Sequence, residues 1–128
     1  MKLEKYFRKG KVYVWKERFA VIKSKKPMSG AFANIKDRNE LTVVIDQTKI
    51  KNKDVIEIEK DWKILTFKMV LPFQLVGFMA KVSKALADEK VSIFAVSAFS
   101  TDHILVKEKD LAKAVKALKS LGLSVRLK

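Results

Sequence analysis

The second half of the chain carries the clearest pattern of apolar and polar positions. Residues 61–70 set Trp62, Ile64, Leu65, Phe67 and Met69 among polar neighbours and end at Leu71-Pro72-Phe73, which predicts a strand closed by a turn. Between residues 74 and 90, Leu75, Met79, Val82 and Leu86 recur at steps of four, three and four, while Lys81, Lys84 and Asp88 fall on the other side. That is the spacing of an amphipathic helix. Residues 91–99 are apolar and rich in strand formers, and residues 103–107 follow after Ser100-Thr101-Asp102, so the two runs read as a hairpin. Asp110 is placed to cap a helix with Leu111, Ala114, Val115 and Leu118 on its inner face, and Gly122 stands where a left-handed C-terminal residue is wanted. Residues 123–127 supply the last strand.

The resulting order from residue 61 to 128 is β-α-β-β-α-β, the ferredoxin-like arrangement of a four-stranded antiparallel sheet with two helices on one face. The first half is poorer in helix. Residues 31–36 and 40–45 are β-prone and joined by Asp37-Arg38-Asn39, a hairpin with a short polar loop. Residues 11–15 and 19–23 read as strands, residues 27–30 as a turn without room for a helix, and residues 46–60 as a polar loop or short helix. Only a stunted βαββαβ unit fits. The expectation is therefore an α+β chain of two ferredoxin-like units packed together, a degenerate one in 1–60 and a complete one in 61–128, with no Gly-, Ser- or Pro-rich linker between them.

Composition narrows the chemistry. With 128 residues, 48% hydrophobic and 33% charged, the chain is apolar enough to fold. The absence of cysteine excludes disulfides, thiolate metal sites and thiol catalysis, and a single histidine leaves little for a metal or catalytic centre. No apolar run approaches the roughly 20 residues of a membrane span, and the start lacks a signal-peptide core; a cytoplasmic protein without membrane contact is expected. The 28 Lys and Arg against 14 Asp and Glu give a formal charge of +14, which raises the possibility of nucleic acid. The excess is +8 over residues 1–60 and +6 over 61–128, spread evenly, and only four of the 28 are Arg. A solvated Lys-rich surface is the favoured explanation.

No catalytic constellation appears, with neither a P-loop, a G-x-G-x-x-G, a G-x-S-x-G nor an H-E-x-x-H, so no enzyme activity, cofactor or metal is expected. Asp102 and His103 are neighbours on a strand, which sends their side chains to opposite faces. The turn from Leu71 to Gly77 is more informative. It enters a helix, whose first backbone N–H groups favour a carboxylate or phosphate, and Gly77 either admits a ligand or permits tight helix packing. Across from it, Phe99 offers an apolar wall, Ser100 and Thr101 hydroxyls, and Asp102 an anion for an ammonium or guanidinium, unless these are ordinary turn residues.

Residues 71–80, 86–97 and 100–106, with the helix ending at Leu121-Gly122, together resemble the C-terminal ACT domain of small tandem-ACT proteins. The hairpin of residues 31–44 resembles their degenerate N-terminal unit; the first 17 residues have no place in the pattern. The resemblance implies a non-enzymatic regulatory protein, dimeric, that binds an amino acid between ACT units. Carried over by position, it implies ligand contacts from Pro72, Gln74, Leu75, Val76 and Gly77 in the turn and from Ala98, Phe99 and Asp102 at the strand end. Relatives that bind basic amino acids can carry acidic residues in the turn, where this chain has Gln74, Leu75 and Val76, so a small or apolar amino acid fits at least as well. Two alternatives stand beside it. One is an RNA-binding ferredoxin-like module, although Lys9-Gly10-Lys11 and Val76-Gly77-Phe78 both fail the aromatic-rich RNA-binding signature; the other is a ligand-free interaction module.

Overall fold

In a computed structural model of the chain, which describes residues 3–72 and 75–127, residues 55–67 form one strand, Val55–Phe67. Residues 55–60, read from sequence as part of a polar loop or short helix, are therefore strand: Val55, Ile56 and Ile58 extend the run despite the charged residues between them. The chain divides into two compact units, Glu17–Trp62 on one hand and Met1–Lys16 with Lys63–Lys128 on the other. The long strand contributes its first part to the former and its last part to the latter. The stretch up to Lys16, read from sequence with the first half, thus clusters with the second.

In that larger unit, helix α1 (Leu3–Lys9) and strand β1 (Lys11–Val14) precede the end of β5 (Val55–Phe67). Helix α2 (Phe78–Asp88), strands β6 (Phe94–Ser97) and β7 (Asp102–Lys107), helix α3 (Leu111–Ser120) and strand β8 (Ser124–Leu127) follow. The sheet order is β6-β7-β5-β1-β8. The ferredoxin-like order is present, but with a fifth strand: β1 lies between β5 and β8, where the sequence suggested four strands. Val12 is opposite Phe67 in an antiparallel pair and opposite Val125 in a parallel one. Alternation identifies a strand and its buried face, whereas the choice of neighbour depends on contacts distant in sequence.

Helix α2 begins four residues later than its apolar spacing suggests. Gly77 adopts φ 93°, a left-handed conformation that cannot belong to the helix, and stands at its N-cap. Consequently Phe78, Val82 and Leu86 carry the buried face, while Leu75 and Met79 pack at its margin. Phe78 stacks on Phe7 of α1 (ring centroids 4.9 Å apart, 12° between planes) and meets Phe67 of β5 edge-on (5.3 Å, 88°). Asp110 does precede α3, yet its side chain does not cap it, because a short 3-10 turn at Glu108–Asp110 leads directly into the helix. Ala114, Ala117 and Leu118 form the inner face of α3.

The smaller unit comprises β2 (Phe19–Ser24), β3 (Ala33–Lys36), β4 (Leu41–Asp46) and the start of β5, in the order β3-β4-β2-β5. This is the ferredoxin-like strand order without its helices. The first helix is replaced by a turn around Met28, held by a two-way bridge in which Asn34 Oδ1 accepts from the Met28 N–H (2.9 Å) and Asn34 Nδ2 donates to its carbonyl (3.1 Å). Met28 then packs beside Ala20, Ile22, Val43 and Ile45, with Ala31, Leu41, Ile50 and Val55 partly buried around them. The second is reduced to 3-10 turns at Gln47–Lys49 and Asn52–Asp54, the first capped by Asp46, which accepts from the Thr48 N–H (2.9 Å) and hydroxyl (2.8 Å). The β3–β4 loop closes through Asp37, whose carboxylate accepts from the N–H groups of Asn39 (2.8 Å) and Glu40 (2.9 Å).

Gly10 joins α1 to β1 where backbone and side chains approach too closely for a larger residue. A Cβ there would collide with the Tyr6 carbonyl and stand 2.6 Å from Leu123 Cδ2 and 2.9 Å from Met69 Cε. Gly10→Ala should therefore cost about 1–3 kcal/mol, the usual range for overpacking, read as a lower midpoint in urea denaturation; an unchanged midpoint would mean that α1 shifts freely.

Candidate functional site

The turn between β5 and α2 and the loop between β6 and β7 face each other across a cavity of about 300 Å3. Two backbone hydrogen bonds set its walls. Leu71 N–H donates to the Ser100 carbonyl (3.0 Å), fastening one loop to the other, and Ala98 N–H donates to the Thr101 carbonyl (2.9 Å), closing the hairpin. Pro72, Leu75, Gly77, Ala98, Phe99 and Asp102 all line the cavity. Of the other two positions inferred from the resemblance, Val76 is 84% exposed and outside the lining, and Gln74 lies outside the described residues. Met79, Ala80, Ser97 and Ser100 also line the space. Gly77 as the end of the turn would have pointed to the first two, since they form the opening turn of the helix it starts.

The chemistry of this concavity follows from three features. Gly77 has no side chain with which to cap α2, and no side-chain cap bond is present, so the first N–H groups and the positive end of the helix dipole face the turn. Asp102 is the one acidic side chain of the lining. Leu75, Met79 and Phe99 supply apolar wall, and Ser97 and Ser100 add polar surface. A molecule carrying an anionic and a cationic group on a small frame matches such an arrangement.

His103 takes no part in it. Asp102 pairs with Ser97 across the hairpin and lines the cavity, whereas the next residue turns to the opposite sheet face. There the Thr66 hydroxyl accepts from Trp15 Nε1 (2.8 Å) and shares a hydrogen bond with His103 Nδ1 (2.8 Å). Burial lowers the His103 pKa from its ordinary 6.5, and the Asp102 charge opposes that shift only in part. Among the described residues no group of His, Asp and Glu side chains has metal-binding geometry, and no helix is long and apolar enough to cross a membrane.

Two units of ferredoxin-like strand order, one with its helices and a cavity at a helix start, define a tandem α+β architecture. Half of the sequence, residues 57–120, matches the ACT domain, and the chain belongs to that family. A comparison with the curated proteins finds no match. Among solved structures, a protein of Agrobacterium tumefaciens superposes with a TM-score of 0.80 at 23% identity, over 93% of this chain and 93% of that one. The aspartate kinase of Clostridium acetobutylicum gives 0.68 at 19% identity, over 86% of this chain and 34% of the kinase. The ligand-free regulatory subunit of Thermus thermophilus aspartate kinase gives 0.65 at 10% identity, over 88% and 96%. At these identities the likeness is one of fold.

The histidine predicts a pH dependence. Because the folded pKa of His103 lies below 6.5, the unfolded chain takes up this proton first on acidification. Stability is full above 6.5 and falls as the pH drops below it, whereas the carboxylates of Asp37 and Asp46, held below 3.8 by N–H donors of their own turns, give way only in stronger acid. Denaturation midpoints between about pH 7.5 and about pH 5 should decline for the native chain and flatten for His103→Gln.

Proposed function

We propose that this protein is a regulatory module that binds a free amino acid in the cavity between Gly77 and Asp102, without catalysing a reaction. The observation that carries this reading is the pairing of an uncapped helix start with a lone carboxylate across a space of about 300 Å3. The ligand α-carboxylate meets the opening N–H groups of α2, its α-ammonium meets Asp102, and its side chain lies against Leu75, Met79 and Phe99. With Asp102 engaged by the ammonium, the described lining has no second carboxylate for a basic side chain. A small or apolar amino acid is the expected ligand.

The structural likeness to aspartate kinases, one of which is described as an allosteric enzyme, and to a separate regulatory subunit supports a regulatory role. A second copy of the chain would complete the site: Val70, Val76 and Phe99, each more than 70% exposed, lie on the two loops that border the cavity. Ligand binding then acts by favouring one state of the dimer or of a regulated partner over another.

The test is a thermal-unfolding series with each of the twenty amino acids. A ligand at about 100 times its Kd adds roughly 2.7 kcal/mol to the native state, so one amino acid should raise the midpoint by several degrees, and Asp102→Asn should abolish the rise while leaving the unliganded midpoint in place. A response to none of the twenty overturns the proposal in favour of a ligand-free interaction module.

A further inference from the structure

The smaller unit repeats the ferredoxin-like strand order, so each position in the larger unit has a topological counterpart in it. The cavity beside Gly77 lies between the end of its first strand and the loop joining its second and third. The counterpart lies between the end of β2 and the β3–β4 loop, and a cavity is found there too, of about 470 Å3. Its lining differs in character. Lys23, Lys25, Lys36 and Arg38 surround it, against the carboxylates of Asp37 and Glu40. Asp37 is already committed to the N–H groups of its own loop, and among the four cations only Lys23 has an ion-pair partner, Glu57, at 3.8 Å. Lys25, Lys36 and Arg38 thus stand around one concavity outside any direct ion pair among the described residues, and with Asp37 and Glu40 counted against the four cations the lining keeps a net charge of +2.

From this we propose that the smaller unit holds a second site, specific for a compact multivalent oxyanion such as a phosphate-bearing or polycarboxylate metabolite. Like charges brought together around a concavity repel, and a bound anion relieves that repulsion. Arg38, one of only four arginines in the chain, supplies a planar fork suited to two oxygens of one group, and the lysines supply point charges around it. The loss of the first helix matters as well. Where the larger unit has a helix following its first strand, the smaller has the turn that Asn34 bridges to Met28, so lysine side chains from the strand end take the place of helix N–H groups as the anion's partners. A local cluster with Asp37 and Glu40 set among its cations favours a small anion over a nucleic-acid strand, which needs a continuous basic track.

The probes are inorganic pyrophosphate and citrate, titrated calorimetrically into the full chain at moderate ionic strength. Binding of pyrophosphate alone assigns a phosphate-bearing ligand, and binding of citrate alone or of both assigns the wider class of polyanions. In either case Lys36→Ala/Arg38→Ala should raise Kd by about tenfold or more, while Lys109→Ala/Lys113→Ala, which removes the same charge from the other unit, should leave it unchanged. Failure of both anions to bind overturns the proposal, as does equal weakening by the two double variants, which would reflect only the overall positive field. Displacement of pyrophosphate by single-stranded RNA, with both variants weakened alike, would also overturn it. This site stands independently of the amino-acid reading, because Asp102→Asn should leave anion binding intact.

Discussion

The packing of Phe78 between Phe7 and Phe67 holds together everything that the larger unit presents to a ligand. Phe78 is the first residue of α2, so the ring that anchors the helix to β5 and α1 also fixes where its uncapped N–H groups stand. A stacked contact on one side and an edge-on contact on the other satisfy the electrostatic preferences of three rings at once. Lys81 adds a charge 5.9 Å above the outer ring of Phe7, so the cluster reaches the surface on one side of the helix. The left-handed Gly77 immediately before it turns the chain out of the core. Anchor and hinge occupy adjacent residues, which limits how far the wall of the cavity can drift from the strand beneath it.

Much of this was visible in the sequence, and the reason is periodicity. The β3–β4 and β6–β7 hairpins, the helices α2 and α3 and the ferredoxin-like order all follow from apolar positions recurring at two or at three and four. The boundaries of α2 did not follow, because Leu75 continues the apolar spacing backwards past Gly77 and spacing carries no information about φ. The position of β1 was hidden for a different reason: Val12 and Val14 declare a buried face, yet nothing local distinguishes Phe67 and Val125 as their neighbours. The same distinction governs the site. Six residues inferred from the resemblance lie together around the cavity because loop ends keep their places when a topology is kept, whereas the orientation of Val76 depends on one turn's geometry.

The two units differ in how they support the same strand order. In the larger, two amphipathic helices cover one sheet face with Val82, Leu86, Ala114 and Leu118, all fully buried. In the smaller, a buried methionine, the partly buried Ala31 and Ile50 and short turns cover it, and the polar side chains of Asn34, Asp37 and Asp46 do with hydrogen bonds what helices elsewhere do with packing. Such a unit has a smaller apolar core, and more of its order rests on bonds near its surface. Its loops consequently present charge where the larger unit presents apolar wall.

The place of β1 in the sheet bears on how the chain is made. Trp15 donates its N–H to the Ile64 carbonyl at 2.9 Å, so the whole smaller unit leaves and re-enters the larger one at neighbouring points, as an excursion within a hairpin. On a ribosome β1 emerges before the smaller unit, and its parallel partner β8 after it. The strands β2, β3, β4 and β5 are all available before β8 is made, while the edge of β1 that β8 covers stays unpaired until then. Assembly during translation thus runs from the inserted unit outward, and β8 completes the sheet of the cavity-bearing unit.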